Sequence, residues 1–387
     1  MPEQAPPFDP GDLAVPAIGP RGPLPVSVLT GFLGSGKTTL LRRLLAHPAM
    51  DETAVIINEF GEIGLDHLLV EKADEDTILL NSGCLCCTVR GDLVETMRRL
   101  FKQRVRKEVP PFLRLVIETT GLADPAPILH SLMNDPLLSA RFRLDGVIAT
   151  VDAATGARTL DRHAESVKQA AVADRLLLTK CDIAAPEAIA ALKARLAALN
   201  PAAPLYEVAD GAIEPARLFD AGLYNPATKS PDVQRWLKAE AYDEAAPHDH
   251  HYDHGHGDDH EHGHERPQGH DVNRHGDHIR AFCVTYDRPL DWERFNDWLE
   301  MLITVYGADI LRLKGLLNVA GVDHPVVIHG VQHLFHPPAR LAAWPDDDHR
   351  SRLVFITRDL DPALFDHTLR AFLQDQRDRT PMQASEG

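Results

Sequence analysis

The chain has 387 residues, enough for one substantial α/β domain and a smaller second one. Its 57 acidic residues outnumber 40 basic ones, a net charge of −17, which argues against nucleic-acid binding driven by phosphate neutralisation. No apolar run approaches a membrane span. Five cysteines, three of them in Cys84-Leu85-Cys86-Cys87, do not make a disulfide framework, so a reducing cytoplasm is the expected setting.

Residues 1–25 are rich in Pro and Gly, lack a basic n-region and an apolar h-region, and read as a disordered tail. The apolar run Val26 to Thr30 then feeds Gly31-Phe32-Leu33-Gly34-Ser35-Gly36-Lys37-Thr38-Thr39, followed by a helical pattern through Leu40, Leu41, Leu44 and Leu45. Strand, glycine-rich turn and helix fit the spacing G-x-x-x-x-G-K-[ST] of a P-loop. Gly31, Gly34 and Gly36 let the backbone curl its N–H groups, with that of Ser35, toward phosphate oxygens. The helix N-terminus adds partial positive charge. Lys37 is expected on the β- and γ-phosphates, Thr38 on Mg²⁺ and Thr39 on the α-phosphate.

Thr53 to Asn58 reads as a short buried strand opening into Asn58-Glu59-Phe60-Gly61-Glu62-Ile63-Gly64-Leu65-Asp66. An acidic, glycine-bearing loop at the carboxyl edge of such a sheet is where a γ-phosphate sensor sits; a solvated acidic loop is the plainer alternative. Then come Cys84, Cys86 and Cys87, ahead of a helical pattern through Leu93, Met97 and Phe101. Thiolates are soft ligands suited to Zn²⁺ and, with less preference, to other borderline metals. Adjacent Cys86 and Cys87 do not preform a tetrahedral cage, so two sulfurs plus a ligand such as Glu59 would leave an open shell suited to transfer. Inert thiols or a redox pair are the alternatives.

Pro111 to Ile117 is the next expected strand, with Glu118 at its tip as the Walker-B carboxylate near Mg²⁺. Gly121 follows as a backbone donor to the γ-phosphate. Asp124 before Pro125 reads as a helix N-cap. Strands are expected at Gly146–Val151, Arg175–Thr179 and Leu205–Val208, and helices at Val167–Val172 and Pro186–Leu199. Thr179-Lys180-Cys181-Asp182 closes one strand: the Asp182 carboxylate can accept from guanine N1–H and its exocyclic amine, while the Lys180 stem packs along the purine. Thr179 stands where Asn is usual, keeping a hydroxyl and losing the amide. Alternating strands and helices imply a mostly parallel sheet covered by helices.

Between Pro247 and His278 lie eleven histidines among Asp, Glu and Gly. This tract reads as a linker of low-specificity metal-binding imidazoles. From Ile279 the pattern is globular again. Strands are expected at Ile279–Tyr286, Ile310–Leu317, Val326–Val331 and Leu353–Thr357, and helices at Trp292–Val305 and Leu364–Leu373, a small α+β domain.

The chain resembles the CobW/HypB/UreG family of P-loop GTPases, in particular CobW-type metallochaperones with a CobW C-terminal domain. The residues carrying the match are Gly31 to Thr39, Asn58-Glu-Phe-Gly61, Cys84-Leu-Cys-Cys87, Glu118 to Pro125, Lys180-x-Asp182, the histidine tract and Leu311-Arg-Leu-Lys-Gly315, in family order. The resemblance implies a P-loop GTPase domain over 26–225, a His-rich linker over 226–278, a CobW C-terminal domain over 279–375 and a tail over 376–387. It also implies GTP hydrolysis with Mg²⁺ and zinc (with cobalt or nickel as other candidates) at the C-x-C-C thiolates. The cargo would pass to a metal-dependent client protein, from a monomer or a metal- or nucleotide-dependent dimer. Competing expectations are a cobalt-handling GTPase of cobalamin biosynthesis, a histidine-rich metal buffer, and a small-molecule kinase, the last disfavoured by Thr179-Lys-x-Asp182.

Overall fold

The computed structural model describes residues 23–57, 69–72, 77–80, 85–88, 92–219, 279–335 and 338–373. The expected tails, the loop at Asn58–Asp66 with Glu59, Cys84, and the histidine tract lie outside the described residues.

The first domain is a nine-stranded sheet in the order β3-β4-β5-β2-β6-β1-β7-β8-β9 among the described residues. Its strands are β1 (Leu24–Gly31), β2 (Thr53–Ile57), β3 (Leu69–Lys72), β4 (Thr77–Leu80), β5 (Leu85–Thr88), β6 (Arg114–Glu118), β7 (Phe142–Asp152), β8 (Arg175–Thr179) and β9 (Leu205–Val208). From β5 to β9 along that order every pairing is parallel, and β4 and β3 add an antiparallel edge. Central strands such as β2 are buried along their whole length, which is why they read as continuous apolar runs rather than alternating ones. The helices are α1 (Lys37–Leu45), α2 (Leu93–Arg106), α3 (Ala126–Asn134), α4 (Pro136–Arg141), α5 (Gly156–Arg162), α6 (Ala164–Val172) and α7 (Pro186–Leu199). Leu40, Leu41, Leu44 and Leu45 bury one face of α1 against Val55, Ile57 and Leu177 of the sheet.

Several boundaries differ from the sequence patterns. β7 begins at Phe142 rather than Gly146, because Asp145 is a buried strand residue whose carboxylate accepts a 2.9 Å hydrogen bond from Ser27 Oγ. Charge there masked the strand. α3 starts at Ala126 with Pro125 at the capping position, and Asp124 Oδ1 accepts from Ala126 N at 3.0 Å, one residue away from the expected cap geometry. The patterns assign no strand to Leu69–Lys72 or Leu85–Thr88, four-residue segments too short for periodicity to register.

The second domain holds β10 (Ile279–Tyr286), α8 (Trp292–Tyr306), β11 (Ile310–Leu317), β12 (Val326–Val331), β13 (Leu334–Phe335), β14 (Ala339–Arg340), β15 (Ser351–Arg358) and α9 (Pro362–Leu373). Its antiparallel sheet runs β10-β15-β11-β12-β13, with β14 paired to β12. One face packs on α8 and α9 through Phe295, Trp298, Phe355 and Phe365, the last two rings 4.6 Å apart. The other face, with Ala281, Leu316, Val327, Val354 and Ile356, shares one apolar cluster with Ala171, Val172 and Val147 of the first domain. β11 is therefore buried on both faces along all eight residues.

Inside that shared face Arg312 and Lys314 meet Asp174, the residue before β8. Arg312 ion-pairs with the Asp174 carboxylate and donates to Val172 O, and Lys314 Nζ lies 3.2 Å from Asp174 Oδ1. All three side chains are at most 6% exposed. Asp174 Oδ2 also accepts from Val147 N at 3.0 Å, so the carboxylate ties both domains to the middle of the first sheet.

Candidate functional site

Parallel strands deliver their carboxyl ends to one edge, and the P-loop, Glu118, Asp152 and Thr179-Lys180-Cys181-Asp182 all follow strands there. Gly31, Gly34 and Gly36 have φ of 141, 73 and 92°, the left-handed side where side chains are strained. At Gly31 space also forbids a side chain: a Cβ would lie 2.7 Å from Ser35 Oγ and closer still to Thr150. Ser35 Oγ and Thr150 Oγ1 are 2.6 Å apart, pinning the loop to β7. Thr179 Oγ1 donates to Ser35 O at 2.7 Å. The hydroxyl of Thr179 thus tethers the Thr179–Asp182 segment to the P-loop without an amide.

Lys37 is 4% exposed, and its Nζ donates to Gly31 O at 2.9 Å and Phe32 O at 3.3 Å. The ammonium is held by two carbonyls of the glycine-rich turn itself. Thr39 is exposed on the first turn of α1.

The two expected Mg²⁺ residues come together. Thr38 Oγ1 donates to Glu118 Oε1 at 3.1 Å across 80 residues of sequence, and Glu118 is fully buried. A hydroxyl and a carboxylate side by side at the P-loop are hard oxygen donors of the kind Mg²⁺ takes, so the residues fit that ion. Gly121 lies against the P-loop, where a Cβ would come within 2.6–2.8 Å of Leu33 atoms. Thr119 N donates to Leu29 O at 2.9 Å and Thr119 Oγ1 to Thr30 Oγ1 at 2.9 Å, which fixes the exit of β6.

Beyond β8, Lys180 has φ 57° and its Nζ pairs with Asp152 Oδ2 at 2.7 Å. Burial pushes the Asp152 carboxyl up, but the Lys180 ammonium and the Ala154 and Thr155 contacts outweigh it and hold it below the usual carboxylate range. Asp182 is exposed, open to a ligand edge. Cys181 is half-buried with Sγ 3.2 Å from Leu178 O, and burial pushes its thiol up, as expected for a filler rather than a reactive group. Asp152 and Gln169, which bonds the Gly121 segment, are functional candidates that the sequence patterns passed over. Asp152 carried a signal, a carboxylate at a strand tip like Glu118.

The thiol-bearing segment is described only by its strand register. Cys86 and Cys87 of β5 stand opposite Val55 and Ile56 of β2, and β2 in turn sets Ile57 opposite Glu118 of β6. Two strand spacings, roughly 10 Å, therefore separate the backbone of β5 from that of the Glu118 strand. Among the described residues no group of three or more His, Cys, Asp or Glu side chains forms a metal site.

Comparison with known proteins agrees with this architecture. The CobW/HypB/UreG nucleotide-binding domain matches residues 25–207, and the cobalamin synthesis protein cobW C-terminal domain matches residues 279–373. Zinc chaperone YjiA of Escherichia coli (strain K12) is 32% identical over 334 residues, covering 86% of this chain and 94% of that protein. Zinc chaperone CobW of Sinorhizobium sp is 28% identical over 340 residues, covering 80% and 86%. The crystal structure of Zn(II)-bound YjiA GTPase from E. coli matches with a TM-score of 0.67 at 30% identity, over 92% of this chain and 100% of that one. A Zn(II)-bound triple variant of YjiA, with one glutamate and two cysteines replaced by alanine, matches with a TM-score of 0.68 at 30% identity, over 91% and 100%. The phosphate loop, the Thr38–Glu118 pair, the domain order and these matches agree: the chain belongs to the CobW/HypB/UreG family of P-loop GTPases, with a CobW C-terminal domain.

Proposed function

We propose that this chain is a cytoplasmic metallochaperone that hydrolyses GTP and uses the cycle to load zinc, held by Cys84, Cys86, Cys87 and Glu59, onto a metal-dependent client protein. The observation that carries the reading is the parallel register of β5, β2 and β6, which sets the thiol strand two positions from the Glu118 strand at the nucleotide edge. Zinc is the cargo named for the relatives above, and thiolates suit it. No helix among the described residues is long and apolar enough to cross a membrane.

The chemistry follows from the loop. Gly31, Gly34, Ser35, Gly36 and Thr39 present the P-loop and first helical turn to the phosphates. Lys37 exchanges the carbonyls of Gly31 and Phe32 for β- and γ-oxygens. Thr38 and Glu118 supply ligands for Mg²⁺, which when bound adds charge neutralisation at those oxygens. Gly121 offers its N–H to the γ-phosphate, and Lys180 and Asp182 read guanine. Loss of the γ-phosphate contacts would then weaken the link between the nucleotide edge and β5, the strand that bears Cys86 and Cys87.

Zinc stoichiometry alone does not test this, since the YjiA variant lacking a glutamate and two cysteines still carries Zn(II) and this chain has its histidine tract. Co²⁺ in place of zinc separates the ligand sets. With GTP and Mg²⁺, wild-type protein is expected to show thiolate-to-cobalt charge-transfer absorption. A Cys84→Ser, Cys86→Ser, Cys87→Ser variant should lose it while still hydrolysing GTP. Deleting residues 247–278 should lower total metal bound and leave the band intact. A band absent from the wild type, or unchanged by the serine substitutions, would overturn the assignment.

A further inference from the structure

Gln169 lies in α6, is 1% exposed, and has no direct place in the phosphate or base contacts described above. Its Nε2 donates to Ala123 O at 3.0 Å and to Gly121 O at 3.3 Å. One amide group thus takes two carbonyls of the turn at Thr120–Ala123, within the segment that joins β6 to α3. A third bond, Ala123 N to Thr120 O at 3.1 Å, closes that turn from within. On its other side the turn rests against the P-loop, with Gly121 packed on Leu33. The segment bearing Gly121 is therefore clamped between the phosphate loop and a side chain from a helix 48 residues further along.

We propose that Gln169 is a positioning residue for GTP hydrolysis: its amide fixes the peptide planes around Gly121, so that the Gly121 N–H is already aimed when the γ-phosphate arrives. The Gly121 N–H shares its planar trans peptide with Thr120 O, which Ala123 N holds at 3.1 Å, and Gln169 grips the carbonyls of Gly121 and Ala123 on either side, so it fixes the Gly121 N–H by holding that turn in place. Donors fixed in advance lose no orientation at the moment charge develops on the transferring phosphoryl group. Only a side chain with two N–H donors can hold both carbonyls from one site, which a carboxylate or an aliphatic group of the same size cannot do.

This inference rests on the GTPase reading, and wild-type turnover in the same assay separates failure of that reading from failure of this one. Gln169→Leu and Gln169→Glu are expected to lower kcat for GTP by about tenfold to a hundredfold, the scale of a small misplacement of a reacting group. KM for GTP should stay within about threefold, since a single γ-phosphate contact is misaimed, and GDP affinity should be unchanged, because GDP has no γ-phosphate. The Glu variant should be the worse of the two, since it turns a carboxylate toward two carbonyl oxygens. Melting temperature with GDP bound is recorded for each variant to confirm folding. Unchanged kcat in folded variants overturns the proposal. So does a parallel loss of kcat and GDP affinity, which would mark Gln169 as a general packing residue.

Discussion

Lys37→Ala is expected to cut GTP turnover by about 10²–10³-fold, the loss seen when one preorganised donor to developing charge is removed. Lys37 is the buried cation of the phosphate loop, held over it by Gly31 O and Phe32 O. In the proposed cycle it is the formal positive charge that the loop brings to the β- and γ-oxygens. Alanine removes that charge and leaves two carbonyls to find water. The fold should tolerate this at about 1–3 kcal/mol, because Ser35–Thr150 and Thr179–Ser35 O still pin the loop. Phosphate release and thermal melting, measured on one preparation, separate the two effects. Turnover within tenfold of wild type in folded protein would remove Lys37 from the catalytic set.

Asp174→Asn should be the most destabilising single substitution at the domain boundary, by about 3–5 kcal/mol, the cost of stripping a buried cation of its countercharge. Asparagine keeps the shape and an acceptor for Val147 N, yet leaves Arg312 and Lys314 facing each other inside the interface. Lys314→Met should cost far less, since Arg312 still neutralises Asp174 and a methionine stem fills the space. Equal losses for the two would contradict the picture of one carboxylate serving two cations.

The pH dependence has a definite sign. Burial lowers the Lys314 pKa from 10.5 to about 8, only partly offset by Asp174. Between pH 8 and 10.5 the unfolded chain therefore binds a proton that the folded chain does not, and this lysine makes stability rise with pH across that window. The Lys314→Met variant should lack that component. For Asp174, burial raises the pKa, but Arg312 and Lys314 outweigh it and the net shift is downward. Its contribution is present above the usual 3.8 and is lost as pH falls through the lowered folded value.

The nucleotide edge was legible in the sequence because each part is local. A strand, three glycines and a lysine within a dozen residues specify the P-loop, and a carboxylate at a strand tip specifies Glu118. That Thr38 and Glu118 would meet followed from both lying at carboxyl ends of a parallel sheet, and they do, at 3.1 Å. What the sequence hid was long-range. Arg312 and Lys314 alternate with leucines, the pattern of a half-exposed strand, and only the fold reveals that the polar side of β11 is turned onto Asp174, 138 residues away. Gln169 sits in an ordinary helical pattern, and nothing local distinguishes a glutamine that grips two distant carbonyls from one that faces water. The thiol strand escaped notice because four residues give too little periodicity, and Cys86 and Cys87 read as ligands before they read as strand positions opposite Val55 and Ile56.

GTP-driven zinc delivery requires linkage between the triphosphate and the thiol site, and zinc affinity of the full chain in three nucleotide states measures that linkage. A chelator competition would be run with a non-hydrolysable GTP analogue and Mg²⁺, with GDP and Mg²⁺, and without nucleotide. Driving a two-state site almost fully from one form to the other takes about 5 kcal/mol of differential binding. At least a tenfold tighter site in the triphosphate state, about 1.4 kcal/mol, is the expected result. Identical zinc affinities in all three states would contradict it and leave a GTPase whose cysteines do not answer to its nucleotide.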